Sequence, residues 1–202
     1  AHTEVRKQLS DVGFIGVSFY IYELFLPVAG VFSEFDKLRA DIAATKHLPW
    51  VPFLFEKPQV LVNISFRVAS HFAQYSKWNP LYWISYAVHH ALCALLHIQL
   101  PLGTPVGPGL VFAHFGTIVF TKRATIGSFF TIYHCCTVGT NDSGQGPTIG
   151  DFVTQYAGSH ILGRTHLQDG CRVGANAVVL DTLANAESTL VGIPARVIEK
   201  GP

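Results

Sequence analysis

The chain has 202 residues, of which 49% are hydrophobic and 13% charged, and its formal net charge is +1. A nearly neutral chain offers no basic surface for nucleic acid, so we expect no nucleic-acid partner. So little charge predicts that part of the surface is covered by other subunits or by a membrane face. Nothing in the sequence has convincing metal-ligand spacing, and no Cys-x-x-Cys pair occurs among Cys93, Cys135, Cys136 and Cys171. We therefore expect neither a metal site nor a disulfide framework.

The first apolar segment, residues 12–32, is long enough to suggest a membrane span. Glu23 and Pro27 interrupt it, and no cluster of lysine or arginine flanks it closely. We interpret the segment as a packed helix, with contact with a bilayer surface as the alternative.

Three further helices are predicted before residue 100. The stretch 33–45 begins with Ser33 as its cap, and the stretch 58–75 begins with a proline, which is favoured in a first helical turn. The stretch 79–100 begins with Asn79 and Pro80 and carries many aromatic side chains. We assign residues 1–100 to an α-helical N-terminal region.

A period of six begins after Pro101. Large inward positions recur at Phe120, Ile126, Ile132 and Val138, and then at Ile149, Gln155, Ile161, Leu167, Val173 and Val179. A small residue lies four positions after each of the first five in the second series, at Val153, Ser159, Thr165, Cys171 and Ala177. One large and one small inward residue per six predicts a parallel β-helix of stacked triangular coils. The fold class is therefore α+β, with helices before a β-helix over residues 101–202 that ends in a C-terminal tail.

Two interruptions of the period stand out. A polar loop leaves the coil at 139–148, and the spacing between Phe112 and Phe120 is eight instead of six. His114 lies in that longer repeat, surrounded by apolar residues. A buried core histidine is the alternative to a functional one, but breaks in a strict repeat are common at functional sites.

The C-terminal half resembles the serine acetyltransferase-like branch of the hexapeptide-repeat acyltransferases. The resemblance covers residues 97–200 and rests on PVGPGLVFAHFGTIV (105–119), CCTVGT (135–140), AGSHILG (157–163), RVGANAVVL (172–180) and VGIPARVIEK (191–200). It implies a left-handed β-helix, acetyl-CoA as cosubstrate without a metal, and a homotrimer or a dimer of trimers.

The resemblance also assigns candidate site residues. His114 aligns with the catalytic base, and a neutral imidazole suits the removal of a proton from a hydroxyl near neutral pH. The repeat places His134 in the same groove, as a second candidate that contacts the acceptor, with a solvated strand residue as the alternative. The candidate coenzyme contacts lie at turn positions and at two arginines: Gly139, Thr140, Ala157, Gly158, Arg172, Ala175 and Arg196.

Departures from the family pattern guide the prediction of the acceptor. Two aspartates near the base are replaced by Gln99 and Ala113, and a histidine that helps hold serine is replaced by Gly146. We therefore expect a neutral saccharide acceptor, small or lipid-linked, contacted by Gln99, Asn141, Asp142 and Gln145. The predicted enzyme is an acetyl-CoA-dependent saccharide O-acetyltransferase of bacterial surface-polysaccharide biosynthesis, in the cytoplasm or at the inner face of the membrane. The alternatives are serine O-acetyltransferase and a non-catalytic β-helix scaffold.

Overall fold

The computed structural model describes residues 33–45, 56–74 and 79–198. The apolar segment 12–32 lies outside these ranges, so its predicted helix is not described. In these ranges three helices precede the strands: α1 (Glu34–Thr45), α2 (Val60–Ala73) and α3 (Pro80–Leu96). Within the described ranges, none of the helices combines the length and the hydropathy needed to cross a bilayer.

The predicted caps of two helices are present. The Ser33 hydroxyl accepts from the Asp36 N–H at 3.2 Å, and Asp36 accepts in return from the Ser33 N–H. The Asn79 side chain accepts from the Leu81 N–H at 3.0 Å. Helix α3 ends at Leu96, earlier than the predicted residue 100, because His97 takes a left-handed conformation with φ of 54°. The next residues already form the first strand.

Fifteen short strands follow, and their parallel pairing builds a β-helix of five coils. The strands are β1 (Ile98–Gln99), β2 (Val111–Phe112), β3 (Ile118–Phe120), β4 (Thr125–Ile126), β5 (Thr131–Ile132), β6 (Cys136–Gly139), β7 (Thr148–Ile149), β8 (Thr154–Gln155), β9 (His160–Leu162), β10 (His166–Leu167), β11 (Arg172–Val173), β12 (Val178–Leu180), β13 (Leu183–Ala184), β14 (Thr189–Val191) and β15 (Arg196–Ile198).

The strands form the three faces of a prism. Sheet S1 has the order β1-β3-β6-β9-β12, sheet S2 has β13-β10-β7-β4, and sheet S3 has β15-β14-β11-β8-β5-β2. All pairs are parallel except β14 with β15, where the chain turns back after the last coil. The tail therefore adds one antiparallel strand to S3.

The interior follows the period of six. The large predicted positions from Phe120 to Val179 are at most 3% exposed, and the small positions between Val153 and Ala177 are at most 1% exposed. Equivalent positions pair between coils, as Ile126 does with Ile149 and Val138 with Ile161. Each buried aliphatic side chain contributes about 1.5–3 kcal/mol relative to an exposed one. The predicted fold class, helices followed by a parallel β-helix, is confirmed.

Buried polar side chains connect helix α2 to the first coil through hydrogen bonds. Arg67 donates to both carboxylate oxygens of Asp41 on α1, and also to the carbonyls of Val106 and Gly107. Asp41 in turn accepts from the Leu110 N–H at 2.8 Å. Burial raises the pKa of Asp41, although the adjacent Arg67 acts to lower it. This ion pair therefore joins two helices to the β-helix.

Candidate active site

His114 and His134 lie on one edge of the prism, where the chain turns from S3 to S1. We call this the histidine edge, and it comprises residues 113–117, 133–135, 156–159 and 174–177. Successive turns are joined by backbone hydrogen bonds, from Gly158 N–H to His134 O at 3.1 Å and from Asn176 N–H to Ala157 O at 3.0 Å. The edge therefore brings together five predicted site residues, namely His114, His134, Ala157, Gly158 and Ala175.

The His114 imidazole is exposed on this edge. Its ring centroid lies 5.9 Å from that of Tyr133 and 5.8 Å from that of His134. The alternative of a buried core histidine does not fit this position. The turn between β2 and β3 is longer by two residues than the turn between β5 and β6, and His114 lies within it. A reachable imidazole can accept a proton from a bound hydroxyl.

Aromatic side chains that the sequence analysis did not select flank the two histidines. Tyr133 and Tyr156 follow β5 and β8 in consecutive coils, and their ring centroids are 5.3 Å apart. Phe115, beside His114, is 55% exposed. Superposing the repeats would have revealed the tyrosine pair, since each tyrosine directly follows a buried position, Ile132 or Gln155.

Polar groups inside the coil fix the turn at residues 156–159. The buried Gln155 amide donates to the Ser159 carbonyl at 2.9 Å, and the Ser159 hydroxyl donates to the Tyr156 carbonyl. The Cys136 thiol also donates to the Tyr156 carbonyl, at 3.1 Å. Burial raises the pKa of Cys136, so this thiol stays protonated and acts as a donor. The backbone around Ala157 and Gly158 is therefore held in one conformation.

The other predicted residues of this region lie on a second edge, where the chain turns from S1 to S2. We call it the loop edge, and it comprises residues 121–124, 140–147, 163–165 and 181–182. Gly139 ends β6, and Thr140 begins the loop. The Asn141 side chain accepts from the Ser143 hydroxyl and the Gln145 N–H and donates to Asp181, so it shapes the loop. Asp142 and Gln145 are exposed on the loop.

A cavity of about 480 Å³ opens at the loop edge. It is lined by the loop residues Gly144–Gly146 together with Arg123, Thr148, Arg164, Thr165 and His166. The Arg123 guanidinium donates to the Gly144 carbonyl, which holds the loop against the preceding coil. Sequence spacing does not identify these cationic residues, because only the coil register places Arg123 and Arg164 beside the same loop.

Three predicted residues lie elsewhere on the prism. Gln99 is exposed on β1 at the end of S1, where it pairs with Val119. Arg172 is half-buried on β11 in S3, between Thr154 and Thr189 of the neighbouring strands. Arg196 is exposed on β15, beyond the last coil. Over the ranges that the structure describes, no cluster of three or more histidine, cysteine or carboxylate side chains could hold a metal ion.

One copy of the chain separates its two groups of predicted site residues. The two edges lie on opposite sides of S1, and between them β6 (Cys136–Gly139) spans roughly 10 Å, since each strand residue advances the chain by about 3.3 Å. The width of this face therefore separates His114 and His134 from the predicted acceptor contacts on the loop of the same protomer.

Comparison with known proteins identifies relatives. A serine acetyltransferase of Helicobacter pylori strain J99 is 36% identical over 122 residues, which are 59% of this chain and 71% of that enzyme. A serine acetyltransferase of Staphylococcus epidermidis is 35% identical over 106 residues, which are 51% of this chain and 49% of that enzyme. A solved serine acetyltransferase in complex with CoA has a TM-score of 0.68 at 24% identity, over 82% of this chain and 70% of that chain. No family model matches the chain.

These relatives correct one prediction and confirm others. The saccharide acceptor, free or lipid-linked, and the role in polysaccharide biosynthesis are wrong, because the matching enzymes are serine acetyltransferases. The prediction failed because it relied on the family's aspartates and histidine being replaced at Gln99, Ala113 and Gly146. Each replacement removes one contact and does not identify the acceptor. The left-handed β-helix, the acetyl-CoA-dependent O-acyltransferase activity and acetyl-CoA as cosubstrate are confirmed, and the scaffold alternative is wrong. The chain belongs to the serine acetyltransferase family of the hexapeptide-repeat acyltransferases.

Proposed function

We propose that this protein is a serine O-acetyltransferase, which transfers the acetyl group of acetyl-CoA to the serine hydroxyl and releases CoA and O-acetylserine. The observation that carries the proposal is the 36% identity to an enzyme of that name, 71% of which the chain covers. The exposed imidazole on the histidine edge supplies the base that this reaction needs.

His114 acts as the general base. Its neutral imidazole accepts the serine hydroxyl proton while the oxygen attacks the thioester carbon, and a tetrahedral oxyanion forms. When the intermediate collapses, the carbon–sulfur bond breaks, and the imidazolium returns the proton to the leaving thiolate. His134, one coil away, contacts the acceptor beside the base. The acetyl-CoA arm lies along Ala157, Gly158 and Ala175, where small side chains allow close approach to the backbone.

The active unit is a homotrimer, alone or as a dimer of trimers. One protomer holds its histidine edge and its loop edge on opposite sides of S1, and a neighbour related by three-fold symmetry can present its loop edge to the first copy's histidine edge. The completed site then contains His114 from one copy and Asn141, Asp142 and Gln145 from the other. The division at residue 100, the Gln99, Arg172 and Arg196 contacts and the cytoplasmic location stay predictions.

The test is a direct assay for O-acetylserine by mass detection, coupled to release of free thiol from acetyl-CoA. We expect product from serine and a loss of about 10²–10⁴ in kcat for His114→Gln, the range typical of a removed general base. His90→Gln, at an exposed position on α3, is the matched control and should keep full activity. Light scattering on the same samples should give a mass in multiples of three chains. Absence of O-acetylserine, or full turnover by His114→Gln, contradicts the proposal.

A further inference from the structure

The cavity at the loop edge has the chemistry of an anion site. Its charged lining consists of the guanidinium groups of Arg123 and Arg164, and the His166 imidazole adds a further nitrogen donor. A guanidinium offers several N–H groups in one plane, which match the two oxygens of a carboxylate. The cavity therefore fits a small anionic group better than a neutral one.

The nearby carboxylate of Asp181 leaves most N–H donors of the Arg164 guanidinium free to bind an anion. Asp181 Oδ1 accepts from the Arg164 backbone N–H at 2.6 Å and from Asn141 Nδ2 at 3.2 Å. It lies 3.9 Å from Arg164 Nε, and the side chains of Arg164 and Asp181 are 69% and 37% exposed. An ion pair this long and this exposed contributes little to stability, so it holds the Arg164 guanidinium only weakly. Asp181 therefore neutralises Arg164 only weakly, and the second acidic residue of this edge, Asp142, is exposed on the loop.

The loop itself cannot supply the missing cation. Gly146 replaces the histidine that the family resemblance places in contact with serine, and a Cβ at Gly146 would overlap the backbone carbonyl of Arg123. A Cβ at Gly144 would overlap the Arg123 guanidinium. The loop therefore packs directly against the preceding coil. The cationic groups come from the turns of the neighbouring coils, at Arg123 and Arg164, and not from the loop.

We propose that Arg164 and Arg123 bind the α-carboxylate of the serine acceptor and so determine its specificity. This inference rests on the proposed function and on the pairing of the loop edge with a neighbour's histidine edge. The carboxylate accepts hydrogen bonds from the guanidinium groups, and His166 lines the same cavity. The amino acid is thereby anchored by its carboxylate while its hydroxyl faces the base.

The experiment compares serine with serinamide, which lacks the carboxylate, as acceptors for the full-length enzyme. We expect the wild-type kcat/KM to favour serine by about tenfold or more, as for one charge-assisted hydrogen bond. Arg164→Gln should lower that preference towards one, through a higher KM for serine with little change in kcat. Arg123→Gln tests the second group, although it also releases the Gly144 carbonyl. Lys122→Gln is the matched control, since Lys122 is exposed at the same edge and lies beside Gly103 instead of the cavity.

The outcomes separate this inference from the proposed function. If the wild-type enzyme makes no O-acetylserine, both are wrong. If it makes O-acetylserine but Arg164→Gln and Arg123→Gln keep the wild-type preference for serine over serinamide, only the carboxylate site is wrong. An increase in the KM for acetyl-CoA, with the KM for serine unchanged, assigns the arginines to a coenzyme phosphate and also overturns the inference. A structural role alone would lower the turnover of serine and serinamide equally.

Discussion

The substitution Arg67→Met tests how the helices are fastened to the β-helix. Arg67 is 1% exposed, and its guanidinium makes two bonds to Asp41, at 2.9 and 3.3 Å, besides those to the Val106 and Gly107 carbonyls. Methionine keeps most of the aliphatic volume but leaves a buried carboxylate without its counter-charge. Removing one partner of a buried ion pair costs about 3–5 kcal/mol. We expect the free energy of unfolding to fall by about 4 kcal/mol, which corresponds to about 8–16 °C in Tm.

The assay is urea unfolding followed by circular dichroism, and a second variant makes the result specific. Adding Asp41→Asn to Arg67→Met removes the unpaired carboxylate charge. The side-chain oxygen of the asparagine still accepts from the Leu110 N–H. The double variant should recover about 1–2 kcal/mol. A loss below about 1 kcal/mol for Arg67→Met, or no recovery in the double variant, would refute this reasoning.

The pH dependence of Arg67→Met gives an independent check of the same reasoning. Burial already raises the pKa of Asp41 above the ordinary 3.8, and the loss of Arg67 removes the charge that opposes this increase. The folded variant therefore binds a proton more tightly than the unfolded chain does. Its stability should fall as pH rises above 3.8 and recover as pH is lowered from neutrality towards that value. Asp41→Asn should abolish this dependence.

Two further predictions concern His89 and the loop edge. Burial lowers the pKa of His89, whose ring nitrogens contact Leu100 O at 2.8 Å and the Ser65 hydroxyl at 2.9 Å. The unfolded chain thus binds more protons below the ordinary 6.5, and wild-type stability should decline there more steeply than that of His89→Gln in urea titrations. Gly146→Ala should destabilise the protein by about 1–3 kcal/mol, because its Cβ meets rigid backbone of the preceding coil. Gly139→Ala, whose Cβ meets the movable end of the Leu162 side chain, should cost less by the same titration; equal losses would contradict the argument.

The sequence predicted the β-helix because its period records which side chains face inward. A position such as Val173 must be large and apolar in every coil, and this requirement is readable without any coordinates. The interruption around His114 was equally visible, and the structure places that ring outside the core. Outward positions need not be large or apolar, so the period of six gives no information about them. Tyr133, Tyr156 and Arg164 are outward residues and were therefore not predicted.

The acceptor was predicted wrongly for a related reason. The missing aspartate and histidine side chains predict the loss of an amino-acid site, whereas the relatives are serine acetyltransferases. The sequence could not show that Arg123 and Arg164, far apart along the chain, line one cavity beneath the loop.

The sequence by itself determined the repeat, the two interruptions and the identity of the candidate base. Only the tertiary structure decided which outward residues are neighbours: His114 with His134 on one edge, and Arg123 with Arg164 on another. The physical reason is the register between coils. Hydrogen bonds stack equivalent strands in line, whereas the turns between them differ in length, so the position of each turn residue depends on all the strands around it.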